Sequence, residues 1–119
     1  MGKKIYAVVL NYNTSQDCKK CISYLKAQSY SDLHIVVVDN NSSDSDREIL
    51  LKICDELKLK ILLNTHNKGY SAGNNIGLKY AVENGADWCL IINPDVELRD
   101  TDYINKVVCQ LDTFNGAAI

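Results

Sequence analysis

Short apolar runs that do not alternate with polar residues, each stopping at a polar cluster, set the fold of this chain. Ile5-Tyr6-Ala7-Val8-Val9-Leu10 is continuous and is followed at once by Asn11-Tyr12-Asn13. Ile35-Val36-Val37-Val38 runs into Asp39-Asn40-Asn41-Ser42-Ser43-Asp44, and Trp88-Cys89-Leu90-Ile91-Ile92 stops at Asn93-Pro94-Asp95. A strand with one solvated face alternates, whereas a strand covered on both faces reads as an unbroken apolar run, the pattern of a parallel sheet under helices. With a shorter strand over residues 60–63, four strands are predicted.

Helical periodicity fills the gaps. Cys18, Cys21, Ile22 and Leu25 share one face of a helix capped by Thr14 or Ser15 and fading near Gln28. Ile49, Leu50, Ile53, Cys54 and Leu57 mark a second. The segment from Asn67 to Gly77 opens a third, which runs through Leu78 and Ala81 to a stop at Gly85. Gly69, Gly73 and Gly77 are spaced by four. If the helix reaches back to Gly69, they stack on one side, for close approach to the sheet or to a ligand. Ile104, Val107, Val108 and Leu111 define a last helix, and Gly116-Ala117-Ala118-Ile119 starts another strand.

Alternating strands and helices predict one α/β domain with a mostly parallel sheet, right-handed crossovers and helices on both faces. If three strands wind outward and the fourth returns beside the first, the order is 3-2-1-4. The switch point then lies between strands one and four, where ligands of such sheets bind, outside the carboxyl ends. Asn11, Tyr12 and Asn13 would face Asn93 and Asp95 there, with Asp39 at the adjoining tip.

Composition narrows the partners. A net charge of -2 with no dense Lys/Arg run disfavours nucleic acid. No signal peptide or membrane anchor is visible, and an odd count of five cysteines, several of them in apolar-periodic stretches, indicates a reducing, cytoplasmic setting. Cys18 and Cys21 form a C-x-x-C without the second ligand pair of a zinc site, so they read as helix-face residues rather than redox or metal ligands. No P-loop and no G-x-G-x-x-G after strand one is present, which disfavours P-loop enzymes and dinucleotide dehydrogenases.

Without a glycine-rich cradle, a nucleoside diphosphate needs another source of positive charge, which a divalent cation on a strand-tip carboxylate supplies. Asp95 is the candidate ligand for Mg²⁺ or Mn²⁺, the alternative being that it only ends the strand through a turn. Asp39 is either a base- or ribose-contacting carboxylate or a loop cap. Asn67, Asn74 and Asn75 could donate to phosphate or sugar hydroxyls or merely cap the helix. A lone His66 reads as structural.

Four blocks in order carry a family resemblance: residues 8–13, residues 37–44, residues 67–77, and Leu90-Ile91-Ile92-Asn93-Pro94-Asp95-Val96. With them the whole chain resembles the inverting glycosyltransferases of family 2, whose N-terminal half has the Rossmann-like GT-A fold. The resemblance implies that residues 1–119 form the nucleotide-diphospho-sugar-binding part of such a domain. Asn11, Tyr12, Asn13, Asp39, Asn41, Asn67, Gly69, Gly73, Asn74 and Asn93 would lie at the nucleotide, and Asp95 would match the metal aspartate of the D-x-D motif. Asn93 stands where that motif has its first aspartate, a variation similar to rhamnosyltransferase-like branches. The implied chemistry is hexosyl transfer with inversion from a UDP- or dTDP-sugar, in glycan or polysaccharide biosynthesis. The catalytic base and the site for a glycan or lipid-linked acceptor are expected beyond Ile119. Peripheral association of the full-length protein with the cytoplasmic membrane face and self-association of the fragment are further expectations. A noncatalytic nucleotide-binding or interaction domain of the same fold is the competing function. A receiver-like or flavodoxin-like domain has only the βα alternation in its favour.

Overall fold

Every residue of the first strand, β1 (Ile5–Asn11), is buried, because helices cover both faces of the sheet it centres. The computed structural model describes residues 2–113. The order is β1, α1 (Ser15–Lys26), β2 (Leu33–Asn40), α2 (Asp44–Leu57), β3 (Lys60–Asn64), α3 (Tyr70–Glu83), β4 (Trp88–Ile92) and α4 (Tyr103–Thr113). The strands form one sheet in the order β3-β2-β1-β4, and every pair is parallel. This is the α/β arrangement that the apolar runs predict, with the switch point between β1 and β4.

The period of two along β1 divides the core. Ala7 and Val9 pack with Val37 of β2 against Cys18, Cys21, Ile22 and Leu25 of α1 and Leu50 and Cys54 of α2. Tyr6, Val8 and Leu10 pack with Val36 and Val38 against Ala81 of α3 on the opposite face. Ile104 and Val108 of α4 cover Ile5. The crossover α3 returns the chain from one edge of the sheet to the other. It lies close on the strands because a Cβ at Gly77 would sit 2.5 Å from Val8 Cγ1 and 3.1 Å from Val38 Cγ2.

Three details differ from the periodicity. β2 is longer than residues 35–38, since Asp39 and Asn40 stay in the ladder with their side chains hydrogen-bonded across the sheet. Gly69 does not belong to the glycine face of α3. It precedes the helix with φ +103°, a conformation no helix accommodates, so only Gly73 and Gly77 lie against the sheet. Thr14 occupies the N-cap position of α1 without a side-chain cap bond, and Asp46 of α2 takes over that role. The strand expected over residues 116–119 lies outside the described residues.

Candidate functional site

Register puts Asn11 opposite Asp39 on β1 and β2, so both side chains project from the same face at adjoining carboxyl ends. Both are fully buried. Asn11 Nδ2 donates to Asp39 Oδ1 (3.0 Å), Ser42 Oγ (3.1 Å) and Asp46 Oδ2 (2.9 Å). Its Oδ1 accepts from the Thr14 amide (3.2 Å), the Thr14 hydroxyl (3.0 Å) and the Cys18 thiol (3.2 Å). One amide thus ties the β1 tip to the start of α1, the β2 tip and the start of α2.

Asp39 is engaged from within: its Oδ2 accepts from the Ser42 amide (3.2 Å) and Arg47 Nε (3.2 Å). Asp46 Oδ1 accepts the amide (3.1 Å) and hydroxyl (2.7 Å) of Ser15, compensating two donors at the start of α1. Burial alone would raise the Asp46 pKa, but the hydrogen bonds from Asn11 and Ser15 outweigh it and hold the carboxyl below its ordinary range. Two left-handed residues shape the rim. Asn13 (φ +55°) donates its amide to Ser42 Oγ (2.9 Å) and accepts the Ser43 amide on Oδ1 (2.8 Å). Asn41 (φ +60°) is exposed and presents its Oδ1 to Arg47 Nη2 at 3.5 Å.

Asn40, the next residue of β2, points to the other face. It donates to Asn67 Oδ1 (3.2 Å) and accepts from Asn64 Nδ2 (2.7 Å), and Asn67 Oδ1 also accepts the Gly69 amide (3.0 Å). Asn67 and Gly69 are therefore built into the entrance turn of α3. Gly73 lies against the sheet, where a Cβ would meet Leu10 Cδ1 at 2.7 Å and Asn40 Cγ at 3.1 Å. Asn74 is 3% exposed, and both polar atoms of its amide lack a hydrogen-bond partner.

The tip of β4 is a β-turn: the Val96 amide donates to the Asn93 carbonyl at 3.0 Å, with Pro94 second and Asp95 third. Asp95 is exposed on this turn. It borders a cleft of 320 Å³ walled by Tyr12, Thr14, Asp17, Tyr70, Pro94 and Asp95 over Leu10. The turn of β1, the turn of β4 and the first residue of α3 thus meet at the switch point. Tyr12 and Tyr70, 52% and 54% exposed, offer two ring faces there. The Tyr70 hydroxyl donates to Asn93 Oδ1. A larger groove of 560 Å³ opens among Lys26, His34, Lys58 and Lys60 at the opposite, amino-terminal end of the strands. Ligands of parallel sheets bind at the carboxyl ends, which selects the smaller cleft.

Asp95 and Asp17 give the cleft two carboxylates, a donor set that fits Mg²⁺ or Mn²⁺ completed by water and phosphate oxygens. Among the described residues no group of three His, Cys, Asp or Glu could enclose an ion by itself. Cys18 and Cys21 face the core, and burial pushes their thiols up to about 12 and about 11. The negative charge of Asp95 adds to the rise at Cys21.

Sequence reasoning missed Asn40, Asp46, Arg47, Tyr70 and Asp17. Arg47 carried a weak signal: a cation in the first turn of a helix opposes the helix dipole, which a nearby anion offsets. Asn40 follows from Asp39 by strand alternation. Nothing in the sequence brings Asp17 or Tyr70 to Asp95 until the turns are built.

Comparison with known proteins follows the fold. The profile described as glycosyl transferase family 2 matches residues 6–118. The dTDP-rhamnosyl transferase RfbF of Shigella flexneri is 30% identical over 98% of this chain and 37% of its own length. The low-salt glycan biosynthesis hexosyltransferase Agl10 of Haloferax volcanii is 30% identical over 80% of this chain and 29% of its own length. The chain thus spans 37% and 29% of the length of these two relatives. Among solved structures, S. aureus TarS 1-349 in complex with UDP-GlcNAc superposes with a TM-score of 0.73 at 21% identity, over 98% of this chain and 36% of that one. The mannosyltransferase PcManGT from Pyrobaculum calidifontis, in complex with GDP-Man and Mn2+, gives 0.70 at 20% identity, over 80% and 28%.

Proposed function

This chain belongs to glycosyl transferase family 2, and we propose that it is the donor-binding part of an enzyme that moves a sugar, with inversion, from a nucleoside diphosphate to an acceptor hydroxyl in glycan biosynthesis. The observation that carries the reading is the cleft at the switch point, where Tyr12, Tyr70 and Asp95 arrive from three separate elements. The similarity to a dTDP-rhamnosyl transferase, and the similar fold holding UDP-GlcNAc, favour a dTDP- or UDP-sugar.

In this reading Asp95 holds Mg²⁺ or Mn²⁺, with Asp17 as its neighbour across the cleft. The ion supplies charge neutralisation for the departing diphosphate. The ring faces of Tyr12 and Tyr70 provide stacking surface for a nucleobase or sugar. Asn13 and Asn41 give the rim hydrogen-bonding groups. The Asp39 carboxylate, with three internal donors, anchors the Asn11 to Asn13 turn. A direct nucleobase contact with that buried carboxylate would have to displace one of these three donors. Chemistry at the anomeric carbon is then a direct displacement, in which the acceptor hydroxyl loses its proton to a general base as the nucleoside diphosphate leaves.

Calorimetric titration with dTDP, UDP and GDP tests the reading. Saturable binding of one or more of them, weakened in Tyr12→Ala, supports a donor site in this cleft. Absence of binding for all three contradicts it.

A further inference from the structure

Asn93 ends the last strand, and Tyr70 opens α3. Their contact is the hydrogen bond that joins these two tips: the phenol donates to Asn93 Oδ1 over 2.5 Å, the short end of the O–H···O range. An amide has ends of opposite polarity, since Oδ1 only accepts and Nδ2 only donates. With Oδ1 engaged by Tyr70, the end left over is Nδ2, which has no hydrogen-bond partner among the described residues on a side chain that is exposed.

We propose that Tyr70 is a positioning residue that fixes the Asn93 amide with its acceptor end held and its donor end outward, so that the β4 tip offers an N–H donor to a phosphate or ribose oxygen of the nucleotide. The inference rests on the donor-site reading and refines it. A carboxylate at position 93 would share a cation with Asp95 and repel a diphosphate. The amide does less of both: it is neutral, so it does not repel a diphosphate, and its oxygen, already accepting from Tyr70, is a weaker ligand for a cation than a carboxylate. Asp95 is therefore the main ligand of the ion, and the outward Nδ2 makes part of the diphosphate recognition independent of the ion. Tyr70 is 54% exposed, so replacing it by phenylalanine removes the hydroxyl and leaves the core untouched.

The test is a double-mutant cycle read by calorimetric titration of thymidine diphosphate into the 119-residue chain, in EDTA and again in Mn²⁺. Tyr70→Phe in EDTA is expected to weaken binding about fivefold, the scale of one hydrogen bond. In an Asn93→Ala background the same change is expected to have no further effect, because Tyr70 acts through Asn93. Asn93→Asp is expected to weaken binding in EDTA and to enlarge the enhancement by Mn²⁺. Additive effects of Tyr70→Phe and Asn93→Ala, or an unchanged Mn²⁺ enhancement in Asn93→Asp, would overturn the proposal while leaving the donor site intact. Failure of the wild-type chain to bind in either condition overturns the donor-site reading, and this proposal with it.

Discussion

The Asn11 amide nitrogen lies 3.0 Å from Asp39 Oδ1 with neither side chain exposed to solvent. Because the same amide also serves Ser42, Asp46, Thr14 and Cys18, its removal leaves several buried groups without a partner at once. Asn11→Ala is expected to destabilise the chain by about 2–4 kcal/mol, the cost of one or two unsatisfied buried groups. Asn11→Asp is expected to cost more, since it sets a third carboxylate beside Asp39 and Asp46. Urea unfolding of the three proteins measures both, and a change below about 0.5 kcal/mol for Asn11→Ala would contradict the hub role.

Asp46 gives this network a pH dependence. Its folded pKa lies below the ordinary aspartate value of 3.8, because the bonds from Asn11 and Ser15 outweigh the opposing effect of burial. A depressed carboxylate stabilises the fold above its unfolded pKa, and that contribution is lost as pH falls through the folded value. The urea midpoint is therefore expected to fall with acidification below pH 3.8, and Asp46→Asn to show a shallower fall from a lower plateau. Equal slopes for the two proteins would remove Asp46 from the account.

Gly77 tests the packing of α3 on the sheet. An alanine there gains about 1 kcal/mol of helix propensity but drives a Cβ into Val8 Cγ1, a stiff β-branched neighbour in the core. Overpacking of this kind costs about 1–3 kcal/mol, so a net loss of about 1 kcal/mol and a lowered Tm are expected. A raised Tm would mean that α3 lies farther from β1 than the structure places it.

The C-x-x-C pair is testable by alkylation. Burial raises the Cys18 and Cys21 thiols, and the thiolate is the reactive form. Iodoacetamide at neutral pH is expected to spare both in the folded chain and to modify both in urea. Rapid labelling of either in the native state would reopen the redox reading.

The sheet was legible in the sequence because strands buried on both faces leave unbroken apolar runs, as residues 5–10 and 88–92 do. Order and switch point followed from topology alone. The polar network was less legible for a physical reason: hydrogen bonds between Asn11, Asp39, Ser42 and Asp46 depend on register and on two left-handed turns, and no periodicity encodes them. Asp39 was expected as a strand-tip carboxylate, and the structure adds that Arg47 and Asn11 already hold it. The glycine spacing left open whether the helix reached back to Gly69, and the left-handed φ there places it before the helix. The pairing of Tyr70 with Asn93 joins residues 23 apart, and became visible only once α3 had crossed the sheet.

In the proposed donor site, Asp95 is the point where a cation joins the nucleotide to the chain. The deciding measurement is calorimetric titration of thymidine diphosphate with and without Mn²⁺ into the wild-type chain and Asp95→Ala. Mn²⁺ is expected to tighten binding about tenfold or more in the wild type, as two or three ion–phosphate contacts would at an open site, and to leave Asp95→Ala unchanged. An equal Mn²⁺ enhancement in both proteins would contradict the assignment of Asp95 and place the cation, or the nucleotide itself, elsewhere.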